Sequence, residues 1–378
     1  MPERESMGGA VTDLGPARVA ELDVSDMLGA MAGLSAQVRD GYAAARRILS
    51  EVALADGGAG GPAPALPARP TGVAVLGMGG SAIGADLVLG ASPHLAVPAV
   101  VVRGYDLPAW VGPDWLVVAV SYSGETEETL SATDAALDRG CAPLCVASGG
   151  RLAALVAERH LPAIAVPPGL QPRAALGHLA MPLLAALERT GLVPGSKEDV
   201  SEAAAVLDEA AVDYAAEVTD EFNPAKAVAR RLEGRVTFVY GAGPTAAVAR
   251  RWKTQINENA KAPAFFAELP ELDHNEVEGW SAGGSLGQSS HVVLLVDAQA
   301  SERIRRRVDV TADAIAGRGV PVERLETRGV SPLARVFSLV ALGDHVSLYL
   351  ALLEGVDPTP VDTIQRLKRR LAGEPDAS

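Results

Sequence analysis

Residues 71–90, TGVAVLGMGGSAIGADLVLG, and residues 235–250, RVTFVYGAGPTAAVAR, follow one plan. Each begins with a short apolar, β-rich run. Each continues with Gly-x-Gly, one further residue, Ser or Thr, Ala, and a helix-compatible stretch. Gly77 and Gly241, the first glycines of the two copies, stand 164 residues apart. Further short runs follow the first copy: AVVV (99–102), WLVVAVS (115–121), PLCVAS (143–148) and AIAVP (163–167). The second copy is followed by AFFAEL (264–269), HVVLLVD (291–297) and VERLE (322–326). Helix-compatible segments separate these runs, as in a parallel sheet with crossovers. The expected fold is α/β, with two doubly wound parallel-sheet units and an N-terminal helical arm.

Outward from these copies, the expected division is 1–70 for an arm, helix and linker, 71–195 for the first unit and 196–378 for the second. Residues 1–15 carry Gly, Pro and charge and are expected to be poorly ordered. Met27, Met31, Leu34, Val38 and Tyr42 recur at helical spacing, predicting an amphipathic helix over about 23–55. GGAGGPAPALPARP (57–70) reads as a linker. Residues 196–232 are Ala-rich and helical in pattern. The chain closes with an apolar helix at about 343–354, a turn at 355–360, and a basic helix in VDTIQRLKRRL (361–371).

Composition narrows the function. The chain has 33 Lys plus Arg against 47 Asp plus Glu, a formal charge of −14, and its 378 residues are only 4% aromatic. Such a chain repels a nucleic-acid backbone and lacks a stacking platform, so no nucleic-acid partner is expected. No uninterrupted apolar run reaches the roughly 18 residues of a membrane span; the best, at 346–353, is preceded by Gly343, Asp344 and His345. Cys141 and Cys145 have no second pair to form a metal site, and the N-terminal stretch lacks the apolar run of a secretory signal. A reduced, cytoplasmic protein is expected. Only five of the 33 cations are Lys, which hints that Lys is kept where a compact amine is required.

Gly77, Gly79 and Ala82 fit the dinucleotide pattern G-x-G-x-x-G/A. The acidic ribose partner that pattern needs is not at the end of the next strand, where Arg103 stands with Asp106 beyond it. The loop in VVAVSYSGETEETL (117–130) favours a different ligand. Ser121, Ser123 and Thr126 occupy the turn from an apolar strand into a helix, where exposed amides and the helix dipole attract an anion. With Gly80 and Ser81 on the neighbouring turn they make a pocket for one phosphate.

GMGGSAIG followed by SYSGETEET resembles a sugar isomerase (SIS) domain. PPGLQPRAALG (167–177), NENAKAPAFFAELPELDHNEVEGW (257–280) and GVDPTPVDTIQRLKRRL (355–371) narrow the resemblance to the bifunctional phosphoglucose/phosphomannose isomerase family, over residues 70–371. It implies interconversion of fructose 6-phosphate with glucose 6-phosphate, mannose 6-phosphate or both, through an enediol(ate), without metal or organic cofactor. The family's base matches Glu258, near the end of a helix expected over about 245–261, where the negative end of the helix dipole favours proton uptake. Its ring-opening acid matches His274, with Glu268, Glu271, Asp273, Glu276 and Glu278 nearby in sequence. Arg173 matches the Arg over the developing enediolate, and Lys368 the C-terminal Lys beside the substrate hydroxyls. The resemblance also implies a homodimer in which His274 reaches the neighbouring subunit's site. Glu125 departs from the Asn frequent in the family, and its charge weakens phosphate binding unless the side chain points to solvent. The second copy has no S-x-S-G-x-T loop, so one phosphate per site is expected. Two rival classes are a non-catalytic sugar-phosphate sensor and a nicotinamide oxidoreductase.

Overall fold

The computed structural model describes residues 13–55, 65–281, 285–371 and 373. Most of the stretch expected to be poorly ordered and most of the expected linker therefore lie outside the described residues. The arm is three helices, not one: α1 (Pro16–Leu22), α2 (Met27–Ala32) and α3 (Leu34–Glu51). Asp23 accepts the backbone N–H groups of Met27 and Leu28, each at 2.8 Å, and Asp26 accepts that of Gly29 at 3.0 Å. These carboxylates satisfy the first-turn donors of α2 and so start a new helix there. The five apolar residues expected to face inward are all buried. After α3, β1 (Leu54–Ala55) pairs in parallel with β2 (Leu66–Pro67), and Leu66 is buried, so the end of the expected linker belongs to the packed protein.

The first sheet contains β3 (Gly72–Leu76), β4 (Ala99–Val102), β5 (Trp115–Val120), β6 (Leu144–Ala147) and β7 (Ala163–Ala165). All pairings are parallel, in the order β4-β3-β5-β6-β7. The intervening helices are α4 (Gly79–Gly90), α5 (Glu127–Asp138) and α6 (Gly150–Arg159), and α7 (Leu176–Arg189) follows β7. After α8 (Lys197–Asp213) and α9 (Pro224–Leu232) the plan restarts. The second sheet contains β8 (Val236–Ala242), β9 (Ala264–Leu269), β10 (Ser290–Val296) and β11 (Val322–Glu326), parallel in the order β11-β10-β8-β9. In both sheets the first strand is flanked by the second on one side and the third on the other. This shared winding is the structural counterpart of the two glycine-loop copies.

Its helices are α10 (Pro244–Gln255), the short α11 (Glu276–Gly279) and α12 (Ser285–Gln288), α13 (Glu302–Ala316), α14 (Pro332–Leu353) and α15 (Asp362–Leu371). One apolar core joins both sheets, running from Val73 and Val118 through Leu187 to Val239, Val293 and Tyr349. Helix α3 lies along α7, and α14 packs against α8, α9 and α10. Helix α14 begins well before the expected 343, because Ser331 accepts the N–H of Ala334 and Pro332 suits the first helical position. By length and composition α14 could cross a membrane, but 94% of its apolar window is buried inside the protein. It is the central core helix, in which each buried Leu contributes about 1.5–3 kcal/mol.

Candidate active site

The loops after β3 and β5 meet where the first sheet reverses its winding, the position at which α/β proteins bind ligands. The Tyr122 N–H donates to Ser81 Oγ at 3.2 Å, joining the two loops. Ser121 Oγ accepts the Gly124 N–H at 3.1 Å and donates to Thr126 Oγ1 at 3.1 Å. Ser123, the exposed hydroxyl of the group, accepts the Glu125 N–H at 3.2 Å. Neither α4 nor α5 has a side-chain hydrogen bond capping its start, which leaves two helix N-termini beside four hydroxyls. Gly124 is obligatory here: its φ is +71°, and a Cβ would lie 1.9 Å from Gly149 O. The departure at Glu125 has a structural role. Its exposed carboxylate accepts the Arg151 N–H at 2.9 Å and so serves the first turn of α6.

Tyr122 ties this cradle to the next part of the site. Its hydroxyl donates to Pro167 O at 3.0 Å and accepts the Leu170 N–H at 2.8 Å, fixing the loop that leads to Arg173. Gly80 lets that loop approach, since a Cβ on it would lie 2.9 Å from Arg173 N. The buried Arg173 guanidinium donates from Nε to Asn259 Oδ1 at 2.7 Å, and from Nη2 to Pro358 O and Thr359 O at 2.9 and 2.8 Å. Its third nitrogen, Nη1, lies 3.5 Å from Glu258 Oε2. Burial pulls the Arg173 pKa below the usual arginine value, and the Glu258 carboxylate opposes that shift.

A second layer supports this pair. Arg251 donates to both oxygens of Asp344, at 2.9 and 2.6 Å, and to Arg173 O at 3.0 Å. Gln255 donates to Asp344 Oδ1 at 3.0 Å, and Asn259 donates to Ser347 Oγ at 2.8 Å. Removing one member of such a buried ion pair costs on the order of 3–5 kcal/mol. Sequence reasoning assigns no role to Asn259, Arg251, Gln255 or Ser347. Asp344 is visible there only as a charge interrupting an apolar run, a signal that such a residue has a buried partner.

The structure brings Glu258, Arg173 and the hydroxyl cradle into one contiguous region, to which no hydrogen bond or ion pair ties His274 or Lys368 among the described residues. Glu258 lies not on a continuing α-helix but in a single π-turn, Ile256–Ala260, that follows α10. Its side chain is 25% exposed, open enough to meet a ligand. His274 ends a 3-10 turn, Glu271–His274, and is exposed. The neighbouring carboxylates largely engage other groups: Asp273 binds Arg307 and Thr311, Glu276 binds Tyr240, and Glu271 binds Asn275. Among the described residues no side-chain hydrogen bond or ion pair involves His274 or Lys368. Lys368 stands on α15, which buries none of its residues. At the second sheet's reversal point the polar groups bond one another. Thr245 donates to Leu295 O at 2.7 Å, and Asp297 at the end of β10 pairs with buried Arg335 at 2.7 Å. Arg103, at the end of β4, pairs with Asp86.

A family model for the bacterial phospho-glucose isomerase C-terminal SIS domain matches residues 221–371. A bifunctional phosphoglucose/phosphomannose isomerase of Caldicellulosiruptor bescii is 41% identical over 302 residues, covering 79% of this chain and 89% of that protein. One from Aquifex aeolicus is 39% identical over 302 residues, covering 79% and 90%. Among solved structures, a glucose-6-phosphate isomerase like protein from Thermus thermophilus matches with a TM-score of 0.60 at 19% identity, over 95% of this chain and 99% of that one. That likeness concerns the fold. The identities over most of both lengths place the function: this chain is an isomerase and belongs to the bifunctional phosphoglucose/phosphomannose isomerase family.

Proposed function

We propose that the site interconverts fructose 6-phosphate with glucose 6-phosphate and mannose 6-phosphate by moving one proton between C1 and C2. The observation that carries this is the adjacency, through Gly80, of an uncharged cradle of hydroxyls to the pair of buried Arg173 and partly exposed Glu258. Hydroxyls and helix N-termini suit a phosphate dianion without metal. Glu258 takes the proton from C2 of the open-chain aldose, or from C1 of the ketose, and returns it to the other carbon. Charge develops on the enediolate oxygens. Arg173 Nη1 is the nitrogen placed to meet it, because Nε and Nη2 are already committed to Asn259 and to two carbonyls. His274, supplied by the partner subunit of a homodimer, protonates the ring oxygen as the sugar opens, and Lys368 approaches the substrate hydroxyls.

Incubating the protein with fructose 6-phosphate and separating the hexose phosphates tests the assignment. Both aldoses are expected, with turnover unchanged by EDTA. Failure to form either would reject it, and loss with EDTA restored by Zn²⁺ would reject the metal-free mechanism. The cradle has its own test in Ser123→Ala, which removes the most accessible hydroxyl. Fructose 6-phosphate binding is expected to weaken by about 1.5–3 kcal/mol, roughly tenfold or more. Unchanged affinity by calorimetry would place the phosphate elsewhere.

A further inference from the structure

Lys261 is a non-glycine residue in the left-handed region, with φ of +58°, immediately after the turn that carries Glu258. Gly or Asn is the usual occupant of such a helix-ending position, since a Cβ is disfavoured there. The side chain explains the exception. Lys261 Nζ donates to Glu258 O at 2.5 Å and to Pro358 O at 3.1 Å. Pro358 O is also the acceptor for Arg173 Nη2, whose neighbouring Nη1 faces the Glu258 carboxylate. The contacts close into a ring: Glu258 carboxylate, Arg173, Pro358 O, Lys261, Glu258 backbone. Arg173 thus holds the side chain of Glu258 while Lys261 holds its main chain, and both hang from one carbonyl. Asn257 adds a strut by donating to Ala262 O at 2.8 Å.

We propose that Lys261 is a positioning residue for Glu258, clasping the π-turn to the turn at 355–360 so that the carboxylate is presented at a fixed angle to the sugar carbons. This rests on Glu258 being the base. Because the same turn leads directly into α15, the clasp also sets the root of the helix that bears Lys368. Gly would fit this backbone with less strain, so what Lys brings to the position is its reach and its charge.

Lys261→Gly separates this role from simple stability, because Gly relieves the left-handed backbone while removing the ammonium. The expected result is an unfolding midpoint equal to or above wild type, kcat lowered about 10- to 100-fold, and KM for fructose 6-phosphate within about threefold. Lys261→Arg, which keeps a donor of similar reach, is expected to recover part of the lost kcat. A Lys261→Gly protein with kcat within about twofold of wild type would overturn the clasp. So would a loss that appears in KM alone, or one that follows a lowered midpoint and is not relieved by Lys261→Arg. Glu258→Gln is assayed in parallel. If it turns over substrate near the wild-type rate, the reading of Glu258 as base fails. If it is inactive while Lys261→Gly is unimpaired, only the clasp fails.

Discussion

Glu258→Gln is expected to slow isomerisation by orders of magnitude while leaving hexose 6-phosphate binding in place. Gln keeps the volume and the hydrogen-bonding shape of Glu but cannot accept a proton from carbon at a useful rate. On the proposed reading, binding rests chiefly on the cradle of Ser81, Ser121, Ser123 and Thr126, whose hydrogen bonds do not involve Glu258. The substitution also takes one charge from the 3.5 Å contact with Arg173, whose other bonds, to Asn259, Pro358 and Thr359, remain to hold it. General-base catalysis is worth about 10²–10⁴ in rate, so turnover should fall by that factor. Hydrogen exchange between solvent and C1 or C2, followed by mass spectrometry, reads the proton transfer directly. Exchange near the wild-type rate in a protein that binds normally would mean that another group is the base.

Glu258 stands out in the sequence only through the family resemblance of its N-E-N segment, and the other parts of this protein differ in how plainly they are written. The strands of both sheets are legible because parallel strands buried on both faces must be continuous apolar runs, and β3 and β10 are buried throughout. The cluster of hydroxyls is legible because its members lie within one short loop and one neighbouring turn. The clasp around Glu258 is not. It joins Arg173, Lys261 and the carbonyls of Pro358 and Thr359 across 186 residues of chain, and a main-chain acceptor leaves no residue type to recognise. The same holds for Asp344, whose partners Arg251 and Gln255 lie on another helix, 93 and 89 residues away. The arm reads as one helix in sequence because apolar spacing survives a break. Only the two aspartates ahead of Met27 signal the restart. The end of α10 is equally hidden, since the residues of a π-turn have no pattern that separates them from an α-helix.

Mixing Glu258→Gln protein with His274→Ala protein is expected to restore activity that neither possesses alone. Within one chain, His274 sits on an exposed turn beyond β9 and makes no hydrogen bond or ion pair to the groups around Glu258. The carboxylates of Asp273, Glu276 and Glu271 are engaged with their own side of the protein, which leaves the imidazole as a projecting, uncommitted group. On the proposed reading this exposed imidazole serves a neighbouring subunit's site. In a two-fold dimer each site then takes Glu258 from one chain and His274 from the other. When the two variants exchange subunits, a mixed dimer gathers both substitutions into one site and leaves the second site intact. Random exchange makes about half of the dimers mixed, each with one working site of two, so about a quarter of wild-type activity should return by this symmetry. Activity is measured against time after mixing, and exchange is confirmed independently with mass-labelled subunits. If both residues served the site of their own chain, every site in every dimer would lack one of them and no activity would appear. Full exchange without recovery would therefore reject the shared site, and would do so without touching the isomerase assignment, because each variant remains inactive for its own chemical reason.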